Sequence, residues 1–187
     1  MSAFTKRLSS IAMKEFSKYR YIRENQEPLL SRIPAYWAAT GNKFPGVQVA
    51  WSAVFISWCV KEAGATASEF KFSAAHSQFV YAAIKRTPDS TGFIGHKVAD
   101  YAPKVGDILH NNRAGKSYDF AFASKTKSYF SHSAIVMEVG NDNVGAYLRT
   151  IGGNEGQSVG LNEVRLSAKG YVRNEGGLYI SILECVL

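Results

Sequence analysis

A chain of 187 residues has the length of one domain with mass enough for a hydrophobic core. Its 46% hydrophobic and 13% aromatic content excludes a disordered chain, and no apolar run is long enough to span a bilayer. The net charge of +7 points to an anionic partner, but lysines and arginines are scattered without a basic block interleaved with aromatics, which argues against nucleic acid.

The opening residues Met1 to Leu8 lack the apolar region and cleavage site of a secretory signal. The expectation is therefore delivery by another route if the protein acts outside the cytoplasm. Cys59 and Cys185 have neither metal-ligand spacing nor the density of a disulfide framework. Each lies in an apolar run and reads as a buried thiol.

In chain order, Phe4, Leu8, Ile11, Ala12 and Phe16 recur at helical spacing and predict an amphipathic helix over residues 3 to about 22. A second helix is expected from Pro28 to Gly41, with Pro34 inside it as a kink or break. Pro45-Gly46 then marks a loop, and the run from Ser52 to Val60 reads as a buried central helix stopped at Gly64. A fourth helix is predicted from Phe72 to before Pro88, with His76 within it.

The period changes after residue 100. Val105 to His110 reads as a strand, and Asn111 to Phe130 as a polar loop containing Tyr118 and Tyr129, either a cleft wall or a mobile surface loop. Ser133–Val139 and Ala146–Ile151 form a hairpin across the Gly140–Asn143 turn. Val159–Leu166 and Leu178–Val186 complete an antiparallel sheet. Helices first and strands afterwards predict a single α+β domain, with N-terminal helices packed on a C-terminal antiparallel sheet.

Three polar residues fall where the apolar patterning breaks: Ser52 at a helix start, His132 at a strand start and Asn154 at a strand end. A nucleophile at a helix N-terminus, a base on a strand and an orienting amide on the next strand make a workable triad. Taken singly, each has a plainer reading: a helix cap, a strand-end polar residue and a turn residue. The loop from Gly152 to Gly160, with Gly153 and Gln157, is either a border of the substrate groove or a flexible connection. Asp107 reads as a turn carboxylate.

The run Trp51-Ser52-Ala53-Val54-Phe55-Ile56-Ser57-Trp58 resembles the nucleophile helix of the papain-like CHAP and NlpC amidase superfamily. Pro103–Ile108 resembles that group's Pro-x-x-Gly-Asp-apolar strand start, and His132-Ser133-Ala134-Ile135-Val136 its histidine strand. Gly153-Asn154 falls where the third polar residue is expected. The resemblance covers roughly residues 45–160. It implies a papain-like fold and cleavage of amide bonds in bacterial peptidoglycan without metal or organic cofactor. Catalysis would fall to Ser52, His132 and Asn154, and substrate binding to Trp51, His76, Gly153 and Gln157.

The superfamily's nucleophile is cysteine, whereas this chain carries Ser52. A hydroxyl is far less acidic than a thiol and depends on a general base. A natural serine enzyme, an engineered Cys-to-Ser change and a scaffold without catalysis are the three explanations. The chain also resembles an uncharacterised branch carrying Trp-Ser-Ala, Ser-Ala-Ala-His and Ile-Gly-Gly-Asn, here residues 51–53, 73–76 and 151–154. That favours a natural serine and turns His76 toward the cleft. Cys59, about two helical turns further on, has no free N–H groups beside it and does not replace the missing thiol. The expected partners are peptidoglycan and an immunity protein, with delivery by a secretion machine or during phage lysis. A non-catalytic wall-binding module and a papain-like enzyme acting on a protein are the alternatives.

Overall fold

The computed structural model describes residues 1–187. Five helices and six strands follow one another: α1 (Ala3–Tyr19), α2 (Leu29–Ala38), α3 (Ser52–Glu62), α4 (His76–Ile84), β1 (Phe93–His96), β2 (Ile108–Asn112), α5 (Phe120–Ala123), β3 (Ser131–Asp142), β4 (Gly145–Glu155), β5 (Ser158–Arg165) and β6 (Tyr179–Cys185). The strands form one sheet in the order β1-β6-β2-β3-β4-β5, every pair antiparallel. The α+β expectation, helices before an antiparallel sheet, therefore holds. No helix is long and apolar enough to cross a membrane.

Alternation along the strands divides the core in two. Ile108, Ile135, Ile151 and Leu183 face the helices, where they join Leu8, Ile33, Phe55 and Val60 in one large cluster. Their neighbours Leu109, Val136, Leu148 and Ile182 face the other way, into a smaller cluster closed by Val98, Leu166 and Val172. Helix α3 packs on α1, α2, β3 and β4 and is buried from Ser52 through Ser57. That burial explains its nearly continuous apolar sequence.

Several boundaries differ from the sequence expectation. Helix α1 stops at Tyr19, because Tyr21 turns to a φ of 71°. Helix α2 continues through Pro34 without a break; Pro34 sits on its exposed face, where water can satisfy the carbonyl that proline leaves unpaired. Helix α4 begins at His76 rather than Phe72, and strand β1 was not foreseen at all. In β4 the strand continues through Gly152-Gly153-Asn154 to Glu155, broken only by a bulge between Gly153 and Glu155.

Candidate active site

Ser52 is the first residue of α3. Trp51 precedes it without a side-chain cap, and the first intrahelical bond runs from the Phe55 N–H to the Trp51 carbonyl at 3.0 Å. The N–H groups of Ser52, Ala53 and Val54 thus have no partner within the helix, and the positive dipole end gathers there. The Ser52 hydroxyl does not cap its own helix. Its Oγ lies 2.7 Å from Nε2 of His76, and both side chains are buried.

His76 reaches this position because α4 starts with it. The segment before it is clamped to α3: the Ser57 hydroxyl donates to the Ser73 carbonyl at 2.9 Å and accepts from the Ser73 N–H at 3.1 Å. Ser73 Oγ then accepts from the Ala75 N–H at 3.0 Å. Ser57 therefore couples the start of α4 to the helix that carries Ser52. Burial, aided by His132, His110 and Arg113, holds the His76 imidazole well below the usual histidine range. It is neutral at pH 7 and able to accept a proton from Ser52. Its Nδ1 is buried without a partner.

His132, near the start of β3, sits beside His76 with ring centres 5.3 Å apart. Its Nε2 is held by Glu155 Oε1 at 2.9 Å, in a pair whose side chains are only 15% and 12% exposed. Two glycines make room for that carboxylate. A Cβ on Gly152 would stand 2.2 Å from Glu155 Oε1 and 3.1 Å from His132 Nε2, and one on Gly160 would stand 2.6 Å from Glu155 Cβ. The glycines of this stretch are thus required for a carboxylate to fold back across β4 and β5.

The expected pairing of His132 with Asn154 is not present. Asn154 occupies the bulge with a φ of 57°, and its amide donates to Glu24. Glu24 also accepts from Trp51 Nε1 at 2.7 Å, and its N–H donates to the Gln157 carbonyl at 2.7 Å. Asn154 is thereby part of a tether joining the α1–α2 connection, the sheet and the base of α3. At the bulge it is Glu155, not Asn154, that meets the His132 ring.

The side chains of Ser52 and His76 open on a cleft of about 720 Å³. Of the residues expected to bind substrate, only His76 lines it. Trp51 is fully buried and stacked on Tyr36 at 5.7 Å, and Gly153 backs onto Trp51 and Phe55, where a Cβ would meet atoms at 2.5–2.6 Å. Gln157 is exposed in the β4–β5 turn. The far wall comes from the segment between β2 and β3, including Arg113, Tyr118, Tyr129 and Phe130. Tyr129 is fixed there by His110, whose Nε2 lies 3.2 Å from its hydroxyl and whose Nδ1 lies 2.9 Å from Ser133 Oγ. Burial pushes His110 down to about 3.

Glu155, Ser57, Glu24 and Arg113 were not evident as site residues from the sequence. Ser57 was visible as a polar interruption of an apolar run. Glu155 was flagged only by the glycines at 152, 153, 156 and 160 around it. Cys59 is fully buried with its thiol pushed well up, and Cys185 is pushed up to about 12, so neither is an activated nucleophile. Asp107 accepts from the backbone N–H groups of Lys104 at 2.7 Å and Cys185 at 2.9 Å, as a turn carboxylate should. No three His, Cys, Asp or Glu side chains are grouped to hold a metal ion.

Compared with known families, residues 8–181 match the model of one described as "Uncharacterized protein conserved in bacteria (DUF2272)". No curated protein and no solved structure matches the chain.

Proposed function

We propose a function for this chain from one premise: it belongs to the bacterial DUF2272 family, and the matched span, residues 8–181, contains every residue of the Ser52 cleft. The proposed activity is hydrolysis of an amide bond by Ser52, with peptidoglycan peptides, or the bond joining peptide to glycan, as the substrate. One observation carries it, the 2.7 Å bond between Ser52 Oγ and the neutral imidazole of His76 at a helix N-terminus. Ser52 Oγ attacks the carbonyl carbon while its proton passes to His76 Nε2. The developing oxyanion faces the free N–H groups of the first turn of α3. Collapse expels the amine, which takes the proton from His76, and water then hydrolyses the acyl-serine ester by the same route in reverse. His132, fixed by Glu155, is the second imidazole of the site and the other candidate base. The cell-wall substrate is supported by the resemblance of residues 45–160 to the amidase superfamily and by the net charge of +7.

A second reading, a wall-binding module without turnover, draws on one feature: the imidazole touching Ser52 has no carboxylate behind it, whereas its neighbour does. Digestion of purified peptidoglycan separates the two. Fragments released by the protein and absent with Ser52→Ala, identified by mass spectrometry, are the expected result and name the bond. Binding to peptidoglycan without released fragments would favour the module, and fragments that persist in Ser52→Ala would remove the serine from the chemistry.

A further inference from the structure

The cleft carries one permanent charge. Arg113 is the only lysine, arginine, aspartate or glutamate in its lining. The Arg113 guanidinium makes no ion pair and no hydrogen bond, unlike Arg32, Arg149 and Arg165, which are each paired with a carboxylate. Its backbone is anchored on the strand side. The preceding residue, Asn112, is buried in β2, and its side chain donates to the carbonyls of Tyr118 at 2.9 Å and Gly177 at 3.0 Å. Asn112 also accepts from the Tyr118 N–H at 2.8 Å, closing residues 112–118 into a tied loop. In the sheet Asn112 stands opposite Ser131, which places Arg113 one residue beyond the end of β2, and Arg113 and Ser131 both line the cleft. Ser131 is 6% exposed, and its Oγ has no hydrogen-bond partner.

The Ser131 hydroxyl is a buried donor without an acceptor, and the exposed Arg113 guanidinium shares its cleft with no acid opposing it. Resting on the reading of this cleft as a substrate site, we propose that Arg113 and Ser131 form a carboxylate subsite that selects acyl-peptide substrates bearing a free carboxylate near the scissile amide. The guanidinium offers the bidentate geometry a carboxylate takes, and the Ser131 hydroxyl, held by nothing else, turns to donate a further bond. The aromatic wall of Tyr118, Tyr129 and Phe130 would cover the apolar part of the same ligand. A cationic peptide finds no countercharge here.

The test is binding to the Ser52→Ala protein, which needs no turnover. Soluble peptidoglycan peptide fragments are titrated with their carboxylates free or converted to carboxamides, and affinity is read by calorimetry. The free carboxylates are expected to bind about tenfold or more tightly than the carboxamides, the scale of a charge-assisted contact. Adding Arg113→Ala should erase that preference without weakening carboxamide binding, and Ser131→Ala should reduce it a few-fold, about the value of one neutral hydrogen bond. A preference that survives Arg113→Ala, equal affinity for the two forms, or no binding of either would overturn the subsite. Failure of the hydrolase reading looks different: the carboxylate preference would persist while the unmodified protein releases no fragments.

Discussion

The two imidazoles of the site are held by opposite means. His76 rides on the start of a helix, touches the Ser52 hydroxyl at 2.7 Å, is buried to neutrality, and has nothing on its second nitrogen. His132 rides on a strand of the sheet, is pinned through Nε2 by Glu155, and makes no hydrogen bond to Ser52. One ring is placed for contact with the Ser52 hydroxyl, the other for fixed orientation by a carboxylate. In a single Ser–His–acid triad one imidazole carries both features. Here they are divided between neighbouring rings, and the helical layer and the sheet each contribute one.

Replacing each ring separately tests that division most severely. His76→Ala should lower turnover by about 10²–10⁴-fold, the usual worth of a general base, with the Ser52 cleft still able to bind fragments. His132→Ala should cost less, because His132 does not touch the hydroxyl. A reversed order in steady-state rates would move the base from the helix to the sheet, where the sequence placed it. Glu155→Gln keeps the shape but weakens the charged bond to His132, and a loss of about ten- to a hundredfold is expected. Gly152→Ala should reproduce that loss, since its Cβ would stand 2.2 Å from the Glu155 oxygen and force the carboxylate away. Normal activity in Gly152→Ala would show that the His132–Glu155 pair is dispensable.

A smaller effect concerns stability. His76 and His110 are both held below the ordinary histidine value of 6.5 by burial, so the unfolded chain binds their protons more readily. Stability should therefore fall as pH drops below 6.5, by at most about 1.4 kcal/mol per pH unit for each histidine. Asp107 acts in the opposite direction. Burial pushes it up to about 6, so the stability it lends is present in acid and is lost as pH rises through that value. The histidines outnumber it, and the thermal midpoint should decline from pH 7 to pH 5. His110→Gln should flatten that decline, and an unchanged slope would mean His110 does not titrate with unfolding.

The sequence showed the helical half of the site more fully than the sheet half. Ser52 stood out because an almost unbroken apolar run begins just behind it, and the Ser-Ala-Ala-His segment brought His76 into consideration. The sheet half depended on one residue of register. Alternation predicts which face a strand residue points to only while the strand is regular, and the bulge at Asn154, with its left-handed backbone, exchanged Asn154 for Glu155. Strand β1 was too short to show a period between Gly92 and the residues after His96. Arg113 lies in a loop, where no periodicity distinguishes a cleft wall from a mobile surface. Its placement comes from Asn112, a buried amide whose partners are set by the tertiary fold.

The proposed chemistry stands on Ser52 being an activated nucleophile. Treating the folded protein with an alkyl fluorophosphonate, followed by peptide mapping, tests it without knowledge of the substrate. One phosphonyl adduct is expected, on Ser52, formed much more slowly in His76→Ala. A protein that stays unmodified, or is modified at a residue other than Ser52, would contradict it.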